Sequence, residues 1–293
     1  MNWDDVRIFL AVARAGQILA ASRRLGLNHA TVGRRLDALE AAMGVALFTR
    51  RPSGCEPTRE GAAFLAGAER MEAEMADALS LAAGADAALT GTVRIGAPDG
   101  FGTAFLAPRL KGLAERHPGL RLQLVPVPRA FSISRREADI AITVERPAEG
   151  RLVARRLVAY ALGLYASRDY LAAHGTPRSV GDLARHRLVG AVEDLHYSAS
   201  LQYTAEITPD WQSRFEIASA LGQTEAVAAG AGIGILHVFI AAHRPGLVRV
   251  LPGAEIRREY WLVIHESARA LAPIRAAADF IAETVERERA LFG

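Results

Sequence analysis

The stretch Leu25-Gly-Leu-Asn28-His-Ala-Thr31-Val-Gly-Arg-Arg35-Leu-Asp-Ala-Leu39-Glu-Ala-Ala-Met43-Gly decides how the first part of this chain folds. Gly26 ends whatever precedes it, and Asn28 is a good helix N-cap. Val32, Leu36, Leu39 and Met43 then recur at the three- and four-residue spacing of one helix face before Gly44 stops the helix. Thr31, Arg34, Arg35 and Ala38 fall on the opposite face. Short polar and guanidinium side chains on such a face suit the major groove of DNA. There arginine reads a guanine edge with two hydrogen bonds, or fixes register on phosphate. A merely solvated arginine face is the competing reading, and the neighbouring segments decide between them.

Upstream, Asn2 caps a helix whose apolar face is Trp3, Val6, Phe9, Leu10 and Ala13, ending at Gly16. Ile18, Ala21 and Leu25 repeat the pattern over a shorter helix closed by Gly26. A short helix, a glycine turn and a capped second helix form a helix-turn-helix. Downstream, Ala46–Thr49 reads as a strand, Pro52-Ser53-Gly54 as a turn and Cys55–Thr58 as the return of a hairpin. Arg50 and Arg51 sit at its start, as on a wing. The candidate DNA-binding residues are therefore Asn28, His29, Thr31, Arg34, Arg35, Arg50 and Arg51.

From Thr58 to Leu89 no proline interrupts an alanine-rich segment. Phe64, Ala68, Met71, Met75, Ala78, Ala82, Ala85 and Leu89 step alternately by four and three, the spacing of a coiled-coil seam. Charge is partitioned as well. Residues 1–59 hold nine arginines against five acids, and residues 60–89 hold one arginine against six acids. A basic head before an acidic rod suits phosphate at the head.

Beyond Thr90-Gly91-Thr92 strands and helices alternate: strands at Val93–Gly96, Leu120–Val127 and Asp139–Val144, helices at Ala104–Arg116 and Ile133–Glu137. Further strands fall at Ala161–Ser167, Ile233–Leu236, Leu247–Leu251 and Tyr260–His265, with helices at Thr224–Gly230 and from Pro273. This order predicts an α/β domain with a mostly parallel sheet. Two glycine-bearing segments, Gly96-Ala-Pro-Asp-Gly100-Phe-Gly-Thr103 and Gly222-Gln-Thr224, open helices whose free N–H groups suit an anion. They nominate Gly100, Phe101, Gly102, Thr103, Gln223 and Thr224, with Arg129 and Tyr197 as further wall candidates, for a small acidic effector. Simple turn chemistry explains these segments equally well. Gly230-Ala-Gly-Ile-Gly234 follows a helix and leads into a strand, the reverse of a dinucleotide loop.

Other classes find little support. No apolar run approaches the ~20 residues of a membrane span, and the acidic start Asn2-Trp-Asp-Asp5 is unlike a signal sequence, so a cytoplasmic location is expected. The single cysteine, Cys55, excludes an internal disulfide framework and a multi-thiolate metal site. No nucleophile-elbow, zinc-protease or phosphate-loop pattern occurs, and the eight histidines are scattered. No catalytic residue, cofactor or metal is expected. A transport-type binding protein on the same α/β fold and a nucleic-acid-modifying enzyme are the rival classes.

The stretch Leu25 to Arg50, with Ala20–Arg24 before it and Thr58-Arg-Glu-Gly61 after it, resembles the winged helix-turn-helix of LysR-type transcriptional regulators. The layout of the remaining chain fits that family over essentially its whole length. The resemblance implies a DNA-binding domain over 1–60, a linker and dimerisation helix over 61–90 and an effector domain over 91–293 shaped like a periplasmic binding protein. Its first lobe is expected at about 91–162 and 267–293, its second at about 163–266. The partners implied are double-stranded DNA, a small-molecule effector and a second copy of the chain, in a homodimer that in this family often pairs into a dimer of dimers. The chain departs from the family pattern at Asn28 and Gly33, where serine is usual, and at Pro57, where leucine is common.

Overall fold

The computed structural model describes residues 2–51, 54–83, 89–126, 138–148, 150–195, 198–269 and 271–293. Helix α1 (Trp3–Ala15) starts with a reciprocal capping box. The Asn2 side chain accepts from the Asp5 backbone N–H, and the Asp5 carboxylate accepts from that of Asn2. Helix α2 (Ile18–Leu25) ends at Gly26 in the left-handed region (φ 65°), a turn that favours glycine. Helix α3 (His29–Met43) starts where the Asn28 side chain accepts from Ala30 N–H at 2.9 Å. Its stripe Val32, Leu36 and Leu39 is fully buried against Phe9, Leu10 and Val12 of α1 in one small core.

Strands β1 (Phe48–Arg51) and β2 (Gly54–Pro57) pair antiparallel, the hairpin read from the sequence. The long helix α4 (Arg59–Ala83) follows directly. Thr58 Oγ1 donates to the Ala46 carbonyl at 2.8 Å and accepts from Gly61 N–H at 2.9 Å. A Cβ on Gly61 would lie 1.9 Å from the Leu47 carbonyl oxygen. The Thr-Arg-Glu-Gly motif thus locks the start of α4 onto the wing. Phe9 stacks obliquely on Phe48 at 5.1 Å and meets the edge of Phe64 at 4.9 Å, joining α1, β1 and α4.

The second part contains β3 (Gly91–Ala97), a π-helical turn (Gly100–Leu106) running into α5 (Ala107–Arg116), β4 (Leu120–Pro126), β5 (Ile140–Thr143) and β6 (Leu152–Ser167). There follow α6 (Arg168–His174), β7 (Leu188–Gly190), α7 (Thr204–Ile207), β8 (Ser213–Glu216), α8 (Ala220–Ala228), β9 (Ile233–His237), α9 (Val238–Ala241), β10 (Leu247–His265) and α10 (Ala272–Arg287). The strand order is β4-β3-β5-β10-β6-β9-β7-β8. Strand β3 runs parallel to β4 and β5, and β7 parallel to β8 and β9. The antiparallel pairings involve β6 and β10, which run through both halves and join them.

The sheet is therefore mixed, where a mostly parallel one was expected. Leu247–Leu251 and Tyr260–His265, read as two strands, form one strand of 19 residues. The link was hidden because Pro252, Gly253, Glu255, Arg257 and Glu259 break the apolar pattern. In the structure Leu251 to Ala254 form a bulge, with Leu251 at φ 47°, and Arg156 pairs with Glu259 at 2.8 Å. The return to the first lobe, expected near Ser267, lies inside β10 instead, because Trp261–Ile264 already pair with β5. Helix α8 begins at Ala220, four residues before its expected start, because Ser219 caps it by accepting from Gly222 N–H at 3.1 Å. The expected helix at 133–137 lies outside the described residues.

Candidate functional site

Two surfaces collect the residues singled out by the sequence. The first is the outward face of α3 with the hairpin. Asn28, His29 and Arg34 are exposed and Thr31 is half-buried, on the side away from Val32, Leu36 and Leu39. Arg34 and Arg51 have no hydrogen bond or ion pair among the described residues and are exposed. The other two arginines are already engaged. Arg35 bonds Asp5 Oδ1 at 2.7 Å and Asn2 Oδ1 at 3.0 Å, tying α3 to the start of α1. Arg50 bonds Asp37 at 2.5 Å and Glu40 at 2.9 Å. Glu40 also accepts from the backbone N–H groups of Leu47 at 2.7 Å and Phe48 at 3.0 Å. Sequence reading missed Glu40, which positions the wing against α3. The signal available was an acid one turn before a helix-ending glycine.

The second surface is a cavity of about 60 Å³ between the two halves of the α/β domain. Pro98, Asp99, Gly100 and Val144 line it from one side. Tyr203, Ala220, Gln223 and His237 line it from the other, and Tyr160 and Tyr260 of the shared strands form its floor. The rings of Tyr160 and Tyr260 stack at 4.1 Å, and His237 stacks on Tyr160 at 5.3 Å. Gly100 lets its segment pack close to Ile240 and Ala220, from which a Cβ there would stand 3.1 Å and 3.3 Å.

The electrostatics of the cavity differ from the expectation. Asp99 Oδ2 accepts from Ser219 Oγ at 2.5 Å and from Leu221 N–H at 3.4 Å. The N-terminus of α8, where an acidic ligand was expected, thus already faces a carboxylate. Burial pushes the His237 pKa down to about 4, so the imidazole is neutral near pH 7. Burial likewise pushes the Tyr203 phenol up to about 12. Among the described residues lining the cavity there is no arginine or lysine.

The named effector candidates divide. Gly100 and Gln223 line the cavity, Gln223 being buried with its amide donating to the Ile217 carbonyl at 2.8 Å. Phe101 lies in the core against Phe105, Tyr260 and Phe292. Gly102 allows close packing, since a Cβ would stand 2.8 Å from Pro126. Thr103 is exposed and faces a separate groove with Arg109 and Arg244. Thr224 is fully buried, its hydroxyl bonded back to the Ala220 carbonyl. Arg129 and Tyr197 lie outside the described residues. Asp99, His237, Tyr160, Tyr203 and Tyr260 were missed. Asp99 stood within the glycine-bearing segment, but the tyrosines and histidine reach the cavity only through the long strands and the far lobe.

Among the described residues, no helix is long and apolar enough to cross a membrane, and no cluster of histidine, cysteine or acidic residues is placed to hold a metal ion. Comparison with known proteins matches residues 3–62 to the bacterial regulatory helix-turn-helix protein, lysR family, and residues 86–286 to the LysR substrate binding domain. The regulator CrgA of Neisseria meningitidis serogroup C is 31% identical over 66% of this chain, an alignment spanning 64% of CrgA's length. The mau operon transcriptional activator of Paracoccus denitrificans is 28% identical over 97% of this chain and 98% of its own. The solved structure of Neisseria meningitidis CrgA, at 25% identity, superposes with a TM-score of 0.60 over 97% of this chain and 99% of that one. A full-length OxyR variant from Pseudomonas aeruginosa, 18% identical, shares the fold at a TM-score of 0.74 over 100% of this chain and 96% of that one.

Proposed function

Because this chain belongs to the LysR family of transcriptional regulators, we propose that it binds double-stranded DNA and alters transcription in response to a small molecule. One observation carries the reading. Arg34 stands exposed on the face of α3 opposite the buried Val32, Leu36 and Leu39 stripe, beside a wing whose first strand ends in Arg51, exposed and without an ion pair among the described residues. Helix α3 enters the major groove, Arg34 reads a base edge or fixes register, and Arg51 meets phosphate. Asn28, His29 and Thr31 approach the backbone at the start of α3. Arg35 and Arg50 act by holding α3 and the wing in place. CrgA is named a transcriptional regulator and the Paracoccus denitrificans relative a transcriptional activator, and the same regulatory role is assigned here, in the cytoplasm and without catalysis.

The chain acts as a homodimer through α4. Met71 and Met75 are 50% and 47% exposed on that helix, an unusual display of large apolar side chains. The seam is shorter than the sequence suggested, because Ala68 is buried and Phe64 packs on the core of its own domain. The effector binds in the cavity between the lobes, where it shifts their relative orientation. An acidic effector at the start of α8 would meet the Asp99 carboxylate already bonded there.

The test is selection from a randomised duplex pool with the full-length chain. Enrichment of a motif with two related half-sites is expected from a two-fold dimer. A pool left without sequence enrichment at low salt would overturn the reading.

A further inference from the structure

Helix α4 is fixed to its own DNA-binding domain at two separate places. Its first turns are held by Thr58 and Gly61 against the Ala46 and Leu47 backbone, by Phe64 against Phe9 and by the buried Ala68. The second place lies further along. Arg14, in the last turn of α1, donates to both carboxylate oxygens of Glu72, from Nη1 to Oε1 at 2.9 Å and from Nη2 to Oε2. The two side chains are only 22% and 25% exposed, and a planar pair joined by two bonds fixes direction as well as distance. Glu72 follows directly on Met71. Successive helical positions point about 100° apart, so Glu72 faces α1 while Met71 and Met75 stand exposed on the proposed seam.

A helix anchored only over its first turns can still swing about them, and a second anchor removes that freedom. From Arg59 to Glu72 the helix rises by about 20 Å, so a swing of about 5° displaces the seam by roughly 2 Å in each chain. The two-fold axis of a dimer doubles this to about 4 Å, close to the ~3.4 Å step between successive base pairs. Small changes in this angle therefore decide whether two copies of α3 reach half-sites one base pair closer or further apart. We infer that Arg14 and Glu72 are positioning residues that set half-site spacing, acting through the angle between α4 and α3. Such a partly exposed pair supplies direction more than stability, since ion pairs open to water stabilise little. The inference rests on the reading of the chain as a dimer through α4 that binds two half-sites.

The test uses the full-length chain and the motif enriched from the randomised pool. Duplexes carry its half-sites moved together or apart by one and two base pairs, and a single half-site serves as reference. In anisotropy the parent is expected to lose at least about tenfold in affinity on a change of one base pair. Glu72→Ala is expected to stay dimeric in sedimentation, to bind the single half-site within about twofold of the parent, and to lose less than about threefold on the same change. Arg14→Ala and the double variant should show the same relaxed spacing, because the two residues act as one unit. Should Glu72→Ala fail to fold, Glu72→Gln keeps the shape and is expected to relax the spacing in the same direction. A parent indifferent to spacing, a variant that keeps the parent's preference, equal weakening on every duplex, additive losses in the double variant, or a monomeric Glu72→Ala each overturns the inference. A chain that enriches paired half-sites yet keeps its spacing preference in Glu72→Ala loses only this inference. A chain that enriches no motif loses the regulator reading with it.

Discussion

Asp99 and Ser219 meet at 2.5 Å across the cleft, so one carboxylate links the first lobe to the cap of α8 in the second. Ser219 serves twice, accepting from Gly222 N–H and donating to Asp99. Ser219→Ala should therefore lower stability by about 1–2 kcal/mol, more than an exposed cap alone, in urea unfolding. Amide exchange should also quicken in α8. A loss below about 0.5 kcal/mol with unaltered exchange would show that the link is not formed in solution.

Two glycines in the DNA-binding domain should respond in opposite directions. Gly33 has nothing within 4 Å of an added Cβ, so Gly33→Ala should stabilise α3 by up to about 1 kcal/mol. Gly61 has no such space, with the Leu47 carbonyl 1.9 Å from the added carbon, and Gly61→Ala should destabilise by roughly 3 kcal/mol. Thermal or urea melts of the two variants check the contrast, and equal shifts would contradict it.

Met71 and Met75 point from α4 without cover in one chain. Met71→Glu with Met75→Glu places like charges across the proposed seam and should shift the chain toward monomer in sedimentation at low micromolar concentration. A double variant that remains fully dimeric would locate the main interface elsewhere.

Burial lowers the His237 pKa from about 6.5 to about 4. Below pH 6.5 the unfolded chain binds a proton that the folded chain refuses, so stability falls as the pH drops. The contribution is complete above about pH 6.5 and lost on the way to about pH 4. His186, lowered by burial and then by His174, acts in the same direction. His237→Gln should therefore flatten, without abolishing, the fall in urea midpoint between pH 7 and pH 5. An unchanged slope would place the imidazole in contact with solvent.

The DNA-binding half was legible because its signals are local. Caps at Asn2 and Asn28, stops at Gly16, Gly26 and Gly44, and a 3.6-residue apolar stripe all lie within a few residues of what they determine. The partners of Arg35 and Arg50 were not, since both depend on how separate elements meet in space. The cavity was half-legible. Gly100 and Gln223 line it, but Thr103 turns outward because the segment winds as a π-helical turn with Phe101 fixed in the core. The expectation of an anion site from free helix N–H groups did not include the Asp99 side chain, which reaches the start of α8 from 120 residues away. Polar contacts of that range leave no periodic trace.

The account turns on Arg34. Fluorescence anisotropy on a selected duplex and on a scrambled one, repeated over a salt series, compares the parent chain with Arg34→Ala. The expected result is a loss of about 1–3 kcal/mol on the selected duplex, a much smaller loss on the scrambled one, and therefore a reduced ratio between them. Equal affinities of parent and Arg34→Ala for the selected duplex at every salt concentration would contradict the claim that this face of α3 reads DNA.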